Sequence, residues 1–126
     1  MIELLKSIIH RATVTGANVD YHGSIGIDRE LIDHAEMFVY EKVLVVSLDS
    51  GERLETYIIE EEKGSRQVIL NGAAAKKIFK GDKVIIMAFT IIKQEEARIY
   101  KPKIVLVDEN NNIIKEEDHL DPDDQC

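Results

Sequence analysis

The chain has 126 residues, enough for one domain with a substantial hydrophobic core. Its 16 Lys and Arg against 24 Asp and Glu leave a net charge of −8, which argues against nucleic acid and anionic membrane as partners but not against a small anionic substrate. The one cysteine, Cys126, excludes an internal disulfide and points to a reducing cytoplasm; Met1-Ile2-Glu3-Leu4-Leu5-Lys6 lacks the apolar core of a signal peptide, and no apolar run nears the roughly 20 residues of a membrane span.

Apolar β-branched runs recur along the chain with turn residues between them. Leu4 to Thr15 reads as one long strand or two short ones, and Gly16-Ala17-Asn18 as a turn. Val19 to Ile27 reads as extended, bent at its two glycines. Asp28 is placed to cap a short helix over residues 29–36, with Leu31, Ile32 and Ala35 facing inward. Residues 42–48 and 53–59 form a strand pair about the Asp49-Ser50-Gly51 turn, and Glu60 to Arg66 is a charged loop. After a short strand at 67–70, Asn71-Gly72 opens a second helix over 73–79, closed by Gly81. Residues 82–92 are the most apolar strand. Their run from Val84 to Phe89 predicts burial on both faces. One helical turn at 95–97 and a final hairpin, 103–108 with 113–114 about Asn110-Asn111-Asn112, complete the elements. The pattern predicts a mainly β single domain with short helices, closed as a barrel, over residues 1–115, and an acidic disordered tail at 116–126.

Several common site types are absent: there is no Gly-rich phosphate loop, no CxxC pair and no metal-ligand spacing among His10, His22, His34 and His119. His34 and His119 read as surface residues. Taken singly, Gly23-Ser24 is a turn signal, Arg53 a solvated strand charge, Tyr57 a rim aromatic, and residues 71–75 a small-residue helix that packs closely.

Taken in order, these residues resemble a known family. His10-Arg11-Ala12-Thr13-Val14-Thr15, Tyr21-His22-Gly23-Ser24-Ile25, Asp28, Gly51 to Tyr57, Gly64-Ser65-Arg66, Asn71 to Ala75, Gly81 to Ile86 and Lys101-Pro102 are similar, in register over residues 4–108, to the pyruvoyl-dependent aspartate 1-decarboxylases. The resemblance implies a double-psi β-barrel, a homotetramer and autocatalytic cleavage between Gly23 and Ser24. Ser24 Oγ would attack the Gly23 carbonyl with Thr56 as donor to the developing oxyanion. β-Elimination and hydrolysis would then turn residue 24 into a pyruvoyl group. That ketone would form a Schiff base with L-aspartate and serve as electron sink for its decarboxylation to β-alanine, the precursor required for pantothenate. It implies Tyr57 as proton donor, Arg53 as carboxylate clamp, Thr56, Gly72, Ala73 and Ala74 as substrate contacts, His10, Tyr21 and Asn71 as supporting residues, and no metal. Strand alternation puts Arg53 and Tyr57 on one face and Thr56 on the other, so a bend, a bulge or backbone contacts are needed to unite them.

One position departs from the family. A lysine that helps bind a substrate carboxylate stands two residues before the histidine; here that position is Ile8. Lys6, about 7 Å away on the same strand face, is a candidate substitute. The alternative is an uncleaved or weakly active barrel variant.

Overall fold

A computed structural model describes residues 1–123; Cys126 and the end of the acidic tail lie outside the described residues. The described residues form nine strands and two short α-helices. In order these are β1 (Ile2–Thr13), β2 (Gly16–Asn18), β3 (Ser24–Asp28), α1 (Arg29–His34), β4 (Lys42–Ser47), β5 (Arg53–Glu61) and β6 (Val68–Asn71). A 3₁₀ turn (Gly72–Lys76), β7 (Lys83–Ile92), α2 (Gln94–Ala97), β8 (Lys103–Val107) and β9 (Ile113–Glu117) follow. All nine strands join one sheet, in the order β2-β6-β3-β5-β4-β7-β1-β8-β9. The β1–β8, β2–β6 and β3–β5 pairs are parallel and the others antiparallel. This is the single, mainly β domain expected from the sequence.

One face of the sheet wraps a single apolar core that includes Ile9, Ile25, Ile27, Val45, Ile58, Leu70 and Ile86, with Leu31 and Ile32 of α1 packed in. Each such buried side chain is worth about 1.5–3 kcal/mol against leaving it in water. Asp28 caps α1 as expected, its Oδ1 accepting from Glu30 N at 2.8 Å.

Four expectations fail in instructive ways. Gly16–Asn18 is strand β2, not a turn, because it finds a parallel partner in β6; the turn comes later, at residues 19–20. The second helix is only the 3₁₀ turn over 72–76. β7 is not buried on both faces: Val84, Ile86 and Ala88 point into the core, while Phe89 and Ile91 are 40% and 60% exposed on the other side. The acidic segment does not fray at residue 116, since Glu116 and Glu117 pair with Val105 and Ile104 in β9.

A polar hub ties the end of β3 to the loop after β5, the β8–β9 turn and the end of β1. Asp28, almost fully buried, also accepts from Gly64 N (2.9 Å) and Arg66 N (2.7 Å). Arg66 Nε donates to Asn112 Oδ1. The neighbouring Asn111, buried and with φ of 62°, accepts from Thr13 N at 2.7 Å and donates to the carbonyls of Thr13 and Arg66, each at 2.9 Å. Removing that amide leaves three partly buried backbone groups without their partner. Asn111→Ala is therefore expected to destabilise the domain by about 2–4 kcal/mol in denaturant titration.

Candidate active site

β3 begins at Ser24, and its antiparallel register with β6 sets Ser24 opposite Asn71. The Ser24 hydroxyl is fully buried. It donates to the His22 carbonyl at 2.9 Å and accepts from Asn71 Nδ2 at 3.1 Å. The bond to residue 22 folds the hydroxyl back across the Gly23–Ser24 peptide. Asn71, itself 3% exposed, fixes the oxygen from the other side.

Immediately after Asn71 the backbone turns through Gly72 at φ of 69°, a conformation that favours glycine. A Cβ there would lie 2.6 Å from Gly23 Cα and 2.8 Å from Gly23 N, so only glycine lets the start of the 3₁₀ turn rest on the residue before Ser24. The turn then sets Ala73 and Ala74 beside Gly23.

A cleft of about 430 Å³ opens at this point. Gly23, Thr56, Tyr57, Asn71, Ala73 and Ala74 line it, with Leu54, Glu55 and Lys77. Thr56 and Tyr57 thus meet in one site although they sit on opposite faces of β5. No bulge is involved: the β4–β5 and β3–β5 registers run without a shift. The reason is the strand edge. The β3 ladder along β5 starts at Ile25 opposite Ile58, so residues 53–57 have β4 on one side and no strand on the other. The cleft runs along that open edge, where side chains from both faces reach it.

Three expected residues lie elsewhere in this chain. Arg53 stands exposed opposite Val46 on the outer face of the sheet and does not line the cleft. His10 lies next to a bulge in β1 and lines a separate cleft with Arg11, Lys83 and Leu106. Tyr21 sits edge-on to His22, ring centroids 5.4 Å apart, in a third cleft with Asn18, Ile59 and Glu61. Asn71 borders both that cleft and the one beside Gly23.

Ile8 is buried opposite Met87 and Ile104. Lys6, the extra residue of a bulge between Leu5 and Ser7, does not replace a cation in the cleft: both oxygens of Glu41 hold its ammonium, at 3.0 and 2.9 Å, 4.8 Å above the centre of the Phe38 ring. His34 is exposed and pairs with Glu116 at 3.1 Å. Among the described residues, no group of three or more His, Cys, Asp and Glu is placed to hold a metal ion. Lys77 belongs to none of the motifs read from the sequence, and Leu54 and Glu55 lie inside the run from Gly51 to Tyr57 without a role assigned to them there. Only the geometry shows that they border the site.

The chain is similar along most of its length to proteins of one family. The aspartate decarboxylase family model matches residues 1–114. The aspartate 1-decarboxylase of Clostridium kluyveri is 53% identical over 118 residues, 94% of this chain and 93% of the relative. That of Caldicellulosiruptor saccharolyticus is 56% identical over 115 residues, 91% and 90% of the two chains. That of Wolinella succinogenes is 51% identical over 113 residues, 90% and 93%.

Burial holds the Glu61 carboxyl above its ordinary value of 4.5. A raised acid binds its proton more tightly in the folded state, so its favourable contribution is complete at low pH and is lost as pH rises through the raised value. Glu61→Gln is expected to raise the urea midpoint at pH 7 and leave it unchanged at pH 3, as measured by parallel denaturation curves.

Proposed function

Because this chain belongs to the aspartate decarboxylase family, whose double-psi β-barrel is the fold described above, we propose that it converts L-aspartate to β-alanine and CO2. The observation that carries the proposal is the buried Ser24 hydroxyl, held between Asn71 and the His22 carbonyl, next in the chain to Gly23, which lines the cleft. The reading of a weakly active variant that Ile8 invited finds no support among the relatives.

The chain first cuts itself. Ser24 Oγ attacks the Gly23 carbonyl carbon and the C–N bond breaks, leaving an ester and a free amine. Gly23 then departs as a carboxylate by β-elimination, ending the fragment 1–23. The dehydroalanine at residue 24 takes up one water and releases one ammonia, leaving a pyruvoyl group on the fragment 24–126. Asn71 fixes Oγ, and Gly72 holds the Gly23 backbone against which the hydroxyl must turn. Thr56 borders the same space and is assigned as donor to the oxyanion that forms on the Gly23 carbonyl.

The residues present fit such a group: residue 24 is buried, an amide donor faces it, and the small residues Gly72, Ala73 and Ala74 leave room alongside. A pyruvoyl ketone supplies an electron sink that side chains cannot. Ala73 and Ala74 bound the space for the substrate, and Tyr57 is assigned to deliver a proton to the carbon that loses CO2.

The assembly proposed is a homotetramer in the cytoplasm. The outer sheet face supports it, because Leu44, Ile85, Met87 and Phe89 lie there partly exposed in register with Arg53, Glu55 and His10. A neighbouring copy seated on this face would bring Arg53 and His10 toward a cleft that their own chain does not give them. In that assembly Arg53 is the substrate clamp and His10 and Tyr21 are supporting residues.

Intact mass after prolonged incubation tests the proposal. The wild type is expected to appear as fragments 1–23 and 24–126, the second with a blocked amino terminus, and to release β-alanine from L-aspartate. Ser24→Ala is expected to stay whole and inactive. Asn71→Ala should slow cleavage by about 10–100-fold, the cost of one lost hydrogen bond to the reacting atom.

A further inference from the structure

β3 carries a glycine, Gly26, at its centre. Its φ is not positive and the strand makes no turn there, so the backbone does not call for glycine, which weakens a strand. The space beside it explains the residue. A Cβ at position 26 would run into the Glu61 side chain, with Cγ and Cδ each 3.0 Å away and Oε2 nearer still. The Glu61 carboxyl thus lies where the side chain of residue 26 would otherwise be.

Strand alternation gives that place its meaning. Ile25 and Ile27 point into the core, so Ser24, Gly26 and Asp28 share the other face of β3. Glu61 is in register with Asp28, yet its carboxyl reaches back to Gly26, one pleat nearer Ser24. Successive side chains on one face stand about 7 Å apart. On the same face, Ile59 and Ile69 are in register with Gly26, and Asn71 with Ser24. These three line one cleft of about 550 Å³ together with Glu61 and Tyr21. Asn71 also donates to Ser24 Oγ, so one residue both borders this cleft and holds the hydroxyl.

Among the described residues the Glu61 carboxyl makes no hydrogen bond or ion pair, and burial alone raises it above its ordinary value. Its titratable neighbours are otherwise engaged. Glu60 turns to Arg29 at 3.4 Å, Asp28 accepts from the N–H groups of Glu30, Gly64 and Arg66, and Tyr21 packs edge-on against His22. A carboxyl drawn out of water without a partner is unfavourable, and so is a glycine in a strand. Two unfavourable residues that fit each other mark a place kept for chemistry.

We propose that Glu61 is the proton acceptor for self-cleavage. Through one water it takes the proton of Ser24 Oγ as that oxygen bonds to the Gly23 carbonyl carbon, and it returns the proton to the Ser24 nitrogen as the C–N bond breaks. The carboxylate is regenerated, and one proton has moved from oxygen to nitrogen. The inference rests on the self-cleavage reading above and deepens it.

The test follows cleavage of freshly purified full chain by intact mass, from about pH 4 to about pH 8, in wild type, Glu61→Gln, Gly26→Ala and the double variant. A base acts only when deprotonated, so the wild-type rate should fall as pH drops through the raised Glu61 value and level off above it. Glu61→Gln should cleave about 100-fold more slowly at neutral pH and lose that inflection. It is also the variant expected to be more stable at pH 7, so slow cleavage in it is not loss of fold. Gly26→Ala keeps the carboxyl but evicts it, and should be slowed comparably, with the double variant no slower than Glu61→Gln. Hydroxylamine, which splits the ester, should not rescue Glu61→Gln, because the lost step precedes the ester. Wild-type cleavage or a retained inflection in Glu61→Gln overturns the proposal. So does rescue by hydroxylamine, which moves Glu61 to the elimination, and so does a double variant slowed by the product of the two single losses. Decarboxylation is read separately. Wild-type protein that cleaves with the Glu61-dependent profile yet makes no β-alanine defeats the decarboxylase reading while this inference stands. Glu61→Gln that cleaves like wild type and makes β-alanine does the reverse, and a wild type that stays whole at every pH overturns both.

Discussion

The register between β3 and β6 is the constraint on which the site depends. Antiparallel pairing of Ser24 with Asn71 delivers the amide to the hydroxyl at 3.1 Å. The same register brings Gly72 onto the backbone of Gly23 one residue later. β2 reinforces it from the other side, since Asn18 pairs in parallel with the same Asn71 and thereby returns the chain to the turn that precedes Gly23. A slip of one residue would flip every side chain of β3 between core and outside, removing Ile25 and Ile27 from the core together with the bond to Ser24. Packing of the apolar core and placement of the Ser24 hydroxyl are thus one requirement.

The strand that begins at Ser24 is also tied at its other end. Asp28 terminates β3 and accepts three backbone N–H bonds, from Glu30, Gly64 and Arg66. A buried carboxylate is tolerable only with such donors around it. The Asn111 amide links the same corner to β1 through Thr13. β3 is therefore held by polar contacts at both ends and by apolar packing between them.

The cleft exists because β3 is short. Its ladder with β5 reaches back only to Ile25 and Ile58, and the edge of β5 beyond that point is left to the 3₁₀ turn rather than to a strand. An open strand edge offers side chains from both faces, small residues on the facing turn, and a lysine where that turn ends.

Much of this was legible in the sequence. β-Branched runs marked most of the strands, Asp28 announced its helix cap, and the ordered set from His10 to Ala75 around Gly23-Ser24 carried the family resemblance. These signals are local: propensity and capping act within a few residues. Gly16–Asn18 was misjudged because its composition says turn and only a partner fifty residues away makes it a strand. Uniform hydrophobicity hid the two unlike faces of β7, because an apolar run is the same whether its second face meets the core or the surface. Alternation separated Thr56 from Tyr57, and their meeting required an edge that no single strand encodes. Arg53 and His10 kept their motif yet left the cleft of their own chain, while Lys77 entered it without one. The sequence by itself determined which residues could do the chemistry; the tertiary structure decided which of them share a cleft, because strand pairing and its termination are non-local.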